Sequence, residues 1–165
     1  MKMRKHSKAV TTERGIPHTG KKLVFLSYAM ADGKIARMLC DKLETAGIPT
    51  WYQTRDIKPG DNFLDSLNHA FRQCQVFVVI LTNISMKSRY LITEMEAALE
   101  RKFSCHEDIV IIPILVGVEN VPDDLRYYLS QLQFFNALNQ PLETVLDSVV
   151  KRVQEAIKTQ EESAS

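Results

Sequence analysis

Tyr90 and Glu94 stand four positions apart in Ser88-Arg89-Tyr90-Leu91-Ile92-Thr93-Glu94, just downstream of the apolar run Val76 to Leu81. On a helix that spacing places a phenol and a carboxylate on one flank. Ligands of open α/β sheets collect outside the carboxyl ends of the strands, so a helix starting just after a strand carries such a pair to a ligand's address. A carboxylate there can act on a bound sugar by stabilising positive charge on the ring or by binding its hydroxyls. Leu91, Ile92, Met95, Ala98, Leu99 and Phe103 form the apolar arc of the same helix, with Glu94 on one rim beside Tyr90 and Glu96 on the other. Glu96 and Glu100, a like-charged i, i+4 pair, read as solvent-facing.

Other chemistries find no support in the residue pattern. The four histidines (His6, His18, His69 and His106) have no cysteine, histidine or acidic neighbour at metal-ligand spacing, so no metal site is expected. The glycine fingerprint of dinucleotide folds, the phosphate-binding P-loop and the nucleophile elbow are all missing. Ser27-Tyr28 and Thr82-Asn83 occupy the strand ends where a phosphoacceptor receiver domain carries acids.

Those side chains must be held by one core. The 165 residues are 45% hydrophobic and 25% charged, enough for a single globular domain. Lys and Arg total 21 against 20 for Asp and Glu, a net charge of +1 that offers no global field for a nucleic acid or an anionic membrane. Three cysteines (Cys40, Cys74 and Cys105), two at apolar helical positions, fit reduced thiols and a cytoplasmic setting. No apolar run reaches the roughly 18 residues of a membrane-spanning helix.

Residues 1–20 are polar and aperiodic and read as a flexible leader; residues 21–159 read as the folded domain, and residues 160–165 as a fraying, disordered tail. Leu23 to Leu26 is a short strand, followed by a helix that Asp32 caps and Gly47 ends. Ile48 to Tyr52 is a second strand, Gln53 to Gly60 a polar loop, and Asp61 the cap of a helix reaching Cys74. Val76 to Leu81 has no polar face and predicts a central strand. Ile109 to Leu115 is a fourth strand whose ladder Pro113 is expected to break or end. A short helix over 123–130, a strand over 133–136 and a closing amphipathic helix from Leu142 to Ile157 complete the chain. Alternating strands and helices imply a flavodoxin-like α/β fold: a five-stranded parallel sheet in the order 2-1-3-4-5 with helices on both faces.

Three segments carry a more specific signal: Phe25-Leu26-Ser27-Tyr28-Ala29-Met30-Ala31-Asp32, Trp51 through Ile57-Lys58-Pro59-Gly60-Asp61, and Ser88-Arg89-Tyr90 with Glu94. Together, from about Lys22 to Ile157, they resemble the TIR (Toll/interleukin-1 receptor) domain. They match its first-strand box, its BB loop and the start of its glutamate-bearing helix. Tyr90 stands where the family often has Trp, and Gln53 where an acid commonly opens the BB loop. The helix glutamate makes the chain more similar to the NAD-cleaving branch than to vertebrate receptor TIR domains.

The resemblance implies an NAD+ glycohydrolase that works without a cofactor, with NAD+ as substrate and Glu94 as catalytic residue. It implies further that the nucleotide lies against Ser27, Tyr28, Ala29, Met30, Lys58 and Tyr90. Trp51 is either a stacking surface for a base or a core residue, and Lys58 either meets a phosphate or is simply solvated. The loop containing Asp56, Ile57, Pro59, Gly60 and Asp61 is implied to dock on other TIR domains, giving a homo-oligomer on activation in innate-immune or cell-death signalling. Two alternatives stand beside this reading: a TIR adaptor or scaffold that does no chemistry, and an N-glycosidase of the nucleoside deoxyribosyltransferase type.

Overall fold

Val76–Leu81 (β3) is apolar at every position because both of its faces are covered, and all six residues are buried. The structure is a computed structural model and describes residues 23–105 and 107–165. In chain order its elements are β1 (Val24–Ser27), α1 (Gly33–Thr45), β2 (Thr50–Tyr52), α2 (Gln53–Asp56), α3 (Phe63–Gln73), β3, α4 (Arg89–Phe103), β4 (Val110–Leu115), α5 (Asp123–Leu129), β5 (Phe135–Asn136) and α6 (Leu142–Ser163). Short 3-10 turns, Met30–Asp32 and Ser85–Lys87, precede α1 and α4. The sheet is parallel throughout, in the order β2-β1-β3-β4-β5. The expected flavodoxin-like arrangement is therefore the observed one.

Alternation along the strands divides the core into two layers. Val24, Leu26, Val76, Val78, Ile80, Ile112 and Ile114 point to α1 and α6. Phe25, Trp51, Phe77, Val79, Leu81, Ile111 and Leu115 point to α3, α4 and α5. Phe25 stacks between Trp51, at 4.7 Å and 17°, and Phe77, at 5.6 Å and 15°, so three neighbouring strands are joined by one aromatic row.

Several expectations are corrected. Pro113 neither breaks nor ends β4, which runs on to Leu115. The amides of Val110 and Val116 donate to the β3 side (Gln75 and Leu81 carbonyls), so alternation turns Pro113 toward β5, where pairing begins only at Ile114. The polar loop after β2 opens with the single-turn helix α2. The cap of α3 is Asn62, which accepts the Asp65 amide, because Asp61 instead accepts the Lys58 amide at 3.0 Å and closes the preceding turn. Phe103 lies outside the buried arc of α4 at 47% exposure, one turn past the last residue that meets the sheet. The C-terminal segment does not fray at Gln160: α6 continues to Ser163, and the Gln160 amide donates to the Asp108 and Gln75 carbonyls. The leader lies outside the described residues.

Candidate functional site

Ser27 is the last residue of β1 and, by alternation from Phe25, faces the α3–α4 layer. Helix α4 is capped by Ser88, whose hydroxyl accepts the Leu91 amide, and packs Leu91, Met95, Ala98 and Leu99 against the sheet. Glu94 projects from the flank of this buried stripe. Its Oε2 accepts a hydrogen bond from the Ser27 hydroxyl across the carboxyl end of β1.

Burial raises the Glu94 pKa above its ordinary value, and hydrogen bonds from Ser27 and Tyr90 act in the opposite direction. Tyr90 is itself raised, first by burial and then by the Glu94 charge. Its ring packs 6.1 Å from that of Phe63 at the start of α3. Ser27, Tyr90 and Glu94 thus form one cluster: a half-buried acid, one hydroxyl aimed at it from the strand, and one phenol a helical turn earlier.

The acid's raised pKa makes the folded state bind its proton more tightly than the unfolded chain does. The stability linked to it is full below the unfolded value of about 4.3 and is lost as pH rises through the folded value. At neutral pH the ionised group therefore weakens the fold. Glu94→Gln is expected to raise Tm by roughly 2–4 °C at pH 7, the yield of about 1 kcal/mol in a domain of this size. Thermal melts at pH 7 and pH 4 check this, with the gain shrinking at the lower pH.

The remaining sequence-predicted residues are dispersed. Tyr28 is buried in the opposite layer, and its hydroxyl is engaged by the Thr54 hydroxyl and by the Thr54 amide at 3.2 Å, pinning α2. Ala29 is half-buried; Met30 is 66% exposed, its thioether accepting from Gln53 at 3.5 Å. Trp51 is a core residue with a face taken by Phe25, so of its two possible roles the structure assigns core packing. Lys58, Pro59, Gly60 and Asp61 are all exposed, and Gly60 has φ +95°, a left-handed conformation that favours glycine. Ile57 packs partly into the α3–α4 layer.

Asp56 faces inward. It accepts the Tyr52 amide at 2.9 Å and pairs with Arg55, so its carboxylate braces the loop from beneath and is not offered to a partner. Arg55 also donates to Glu44 at 2.6 Å and to the Thr50 carbonyl, and lies 4.9 Å over the Tyr52 ring. That brace escaped sequence reading because its members are spread over α1, β2 and α2. A cavity of about 450 Å³ opens at the opposite, amino end of the sheet; Arg72, Cys74, Arg101 and Gln160 line it, and Glu94 is not among its walls. Burial holds the Cys74 thiol at about 11, which leaves it protonated and a poor nucleophile near neutral pH.

A family model described as the TIR domain matches residues 24–150. The chain belongs to the TIR domain family. The matched span runs from β1 into α6 and includes every element that positions Glu94. Over 104 residues, 62% of this TIR domain chain, it is 30% identical to a probable 2′ cyclic ADP-D-ribose synthase from Brachypodium distachyon, of which it covers 43%. It is 27% identical over 106 residues, again 62% of the chain, to a stimulator of interferon genes protein from Magallana gigas, of which it covers 25%. The chain thus spans less than half the length of these curated relatives. Among solved structures, the TIR domain of a Toll-related receptor from Hydra magnipapillata superposes with a TM-score of 0.62 at 23% identity, covering 79% of this chain and 97% of that one.

Proposed function

We propose that this TIR domain is an NAD+ glycohydrolase that cleaves the nicotinamide–ribose bond, with Glu94 as its catalytic carboxylate. The observation that carries the reading is Glu94 itself, half-buried at the carboxyl end of β1 and hydrogen-bonded by Ser27, where an open α/β sheet places its ligands. Similarity to a relative named as a cyclic ADP-ribose synthase supports NAD+ as the nucleotide.

The chemistry suits a single acid. The C1′–N bond breaks with its electron pair going to the pyridinium nitrogen, so nicotinamide leaves neutral and no general acid is required. Positive charge builds on the ribose, and one carboxylate beside it stabilises that charge or holds the ribose hydroxyls. Water then adds at C1′ and loses a proton to give ADP-ribose; attack by a hydroxyl of the same molecule gives a cyclic product instead. Tyr90 walls the site beside Glu94, while Met30 and Lys58 stand on the exposed loops that follow β1 and β2.

The test is nicotinamide release from NAD+ by wild-type protein and Glu94→Ala, in dilute solution and clustered on a support. Release by wild type alone supports the reading. Release by neither, with self-association intact, leaves the scaffold; turnover of nucleosides without NAD+ turnover points to the deoxyribosyltransferase chemistry.

The exposed Lys58–Asp61 turn favours a second role for the same domain, assembly through TIR–TIR contacts into the homo-oligomer that activates it. Proline stiffens the turn and a left-handed glycine shapes it, while Asp56 and Arg55 anchor its base. A Cβ on Gly60 meets nothing within 4 Å, so Gly60→Ala strains only the backbone, at about 1 kcal/mol. Gly60→Ala or Pro59→Ala is expected to weaken self-association about tenfold in sedimentation experiments while the monomer's circular dichroism stays unchanged. Wild-type association by both variants would remove the loop from the assembly.

A further inference from the structure

A second contact, separate from the Ser27–Glu94 bond, ties the β1 side of the site to the α4 side. Asp32 ends the turn after β1 and is only 6% exposed, although it is a carboxylate. It occupies the position before α1 yet makes no side-chain cap. Its Oδ2 instead accepts the Thr82 hydroxyl, 2.8 Å away, just past the end of β3. The Thr82 oxygen also accepts the Ser85 amide at 3.1 Å, and the Ser85 hydroxyl accepts the Thr82 amide at 2.7 Å. From there the backbone runs on without slack: the Met86 amide donates to the Thr82 carbonyl, the Ser88 amide to the Ser85 carbonyl, and Ser88 caps α4.

Burying a carboxylate is costly unless its bonds are made, and this one spends its position on neither a cap nor an ion pair among the described residues. What it does join are the two loops on either side of the point where the strand order reverses, between β1 and β3. With Ser27–Glu94 it closes a loop of contacts: β1 to Asp32, to Thr82 and Ser85, to the first turn of α4, to Glu94, and back to Ser27 at the end of β1.

We propose that Asp32, acting through Thr82 and Ser85, is a positioning residue for Glu94. It fixes the start of α4 against the β1 loop so that the carboxylate is held at a set distance from the ribose. This rests on Glu94 being the reacting acid. Without the clamp, Ser27 is the remaining hydrogen bond from the β1 side to Glu94, and a displacement of about 1 Å in a charge-stabilising group costs rate far more than binding.

Thr82→Val removes the donor at constant shape, Asp32→Ala breaks the clamp from the other side without stranding a buried charge, and Thr82→Ser keeps the hydroxyl. Each is compared with wild type by nicotinamide-release kinetics on the clustered protein and by amide hydrogen exchange. Expected are a fall in kcat of about tenfold or more for Thr82→Val and Asp32→Ala, KM within about threefold of wild type, and near wild-type kinetics for Thr82→Ser. Exchange in residues 82–95 should quicken by about tenfold in the two broken variants, with β4 and α6 unchanged.

If Thr82→Val fails to fold, Asp32→Ala carries both readouts. Wild-type kcat in either folded, clamp-broken variant overturns the proposal, as does unaltered exchange over 82–95. If wild type itself releases no nicotinamide, the glycohydrolase reading fails and Asp32 loses its catalytic meaning, while the exchange data alone then decide whether the clamp exists.

Discussion

Glu94→Ala is expected to lower nicotinamide release by about a hundredfold or more, a loss of roughly 2.7 kcal/mol of transition-state stabilisation. Glu94 is the acid that Ser27 orients at the carboxyl end of β1, and alanine removes both the charge and the partner of that hydroxyl. The fold should survive, because the substitution also removes an acid whose burial is unfavourable to its ionised form. KM should move little if the carboxylate acts mainly on the charge that develops during bond breaking, and more if it mainly holds the ribose hydroxyls. The pH profile of the wild type provides an independent check. Because burial raises the acid, activity that needs the carboxylate should fall on acidification with a midpoint above the ordinary value of about 4.3, and Glu94→Asp should alter that limb. Substantial activity in Glu94→Ala, or a flat profile down to pH 4, would remove Glu94 from the reaction.

Arg55→Met should give the largest loss of stability outside the apolar core, about 2–4 kcal/mol, or a fall in Tm of roughly 5–15 °C. The guanidinium is mostly buried and joins Glu44 on α1, the Thr50 carbonyl on β2 and Asp56 on α2, with the Tyr52 ring beneath it. Methionine keeps much of the volume but takes the guanidinium donors from the Glu44 carboxylate and the Thr50 carbonyl, and leaves Asp56 with the Tyr52 amide. Urea unfolding measures the loss. The same substitution frees α2, so the Lys58–Asp61 turn should become protease-sensitive before the core does. A Tm within 2 °C of wild type would show that the cluster is an incidental surface network.

Cys40 and Cys74 are buried, and burial pushes the Cys40 thiol up to about 12. Cys105 is exposed. Among the described residues no helix is long and apolar enough to cross a membrane.

Much of this protein was legible in local pattern. The unbroken apolar run of β3, the helical spacing of Leu91, Met95, Ala98 and Leu99, and the Pro59-Gly60 turn are signals carried within a dozen residues, and each became the expected element. Strand and helix periods arise from backbone geometry, so they survive in any context that buries one face. The family motifs added the position of Glu94 on α4. Other features were settled only by long-range pairing. Whether Trp51 met a ligand or the core depended on Phe25 lying beside it in the sheet. Pro113 was harmless because β5 pairs with β4 only beyond it. Ser27 reaches Glu94 across 67 residues and Thr82 reaches Asp32 across 50, contacts that exist because β3 pairs beside β1 and carries the start of α4 to the β1 loop. Residue types and spacings thus determined which groups were available and on which elements they would ride. Which of them meet was decided by the tertiary structure, because hydrogen bonds act over about 3 Å and only the packed sheet brings such distant positions within that range.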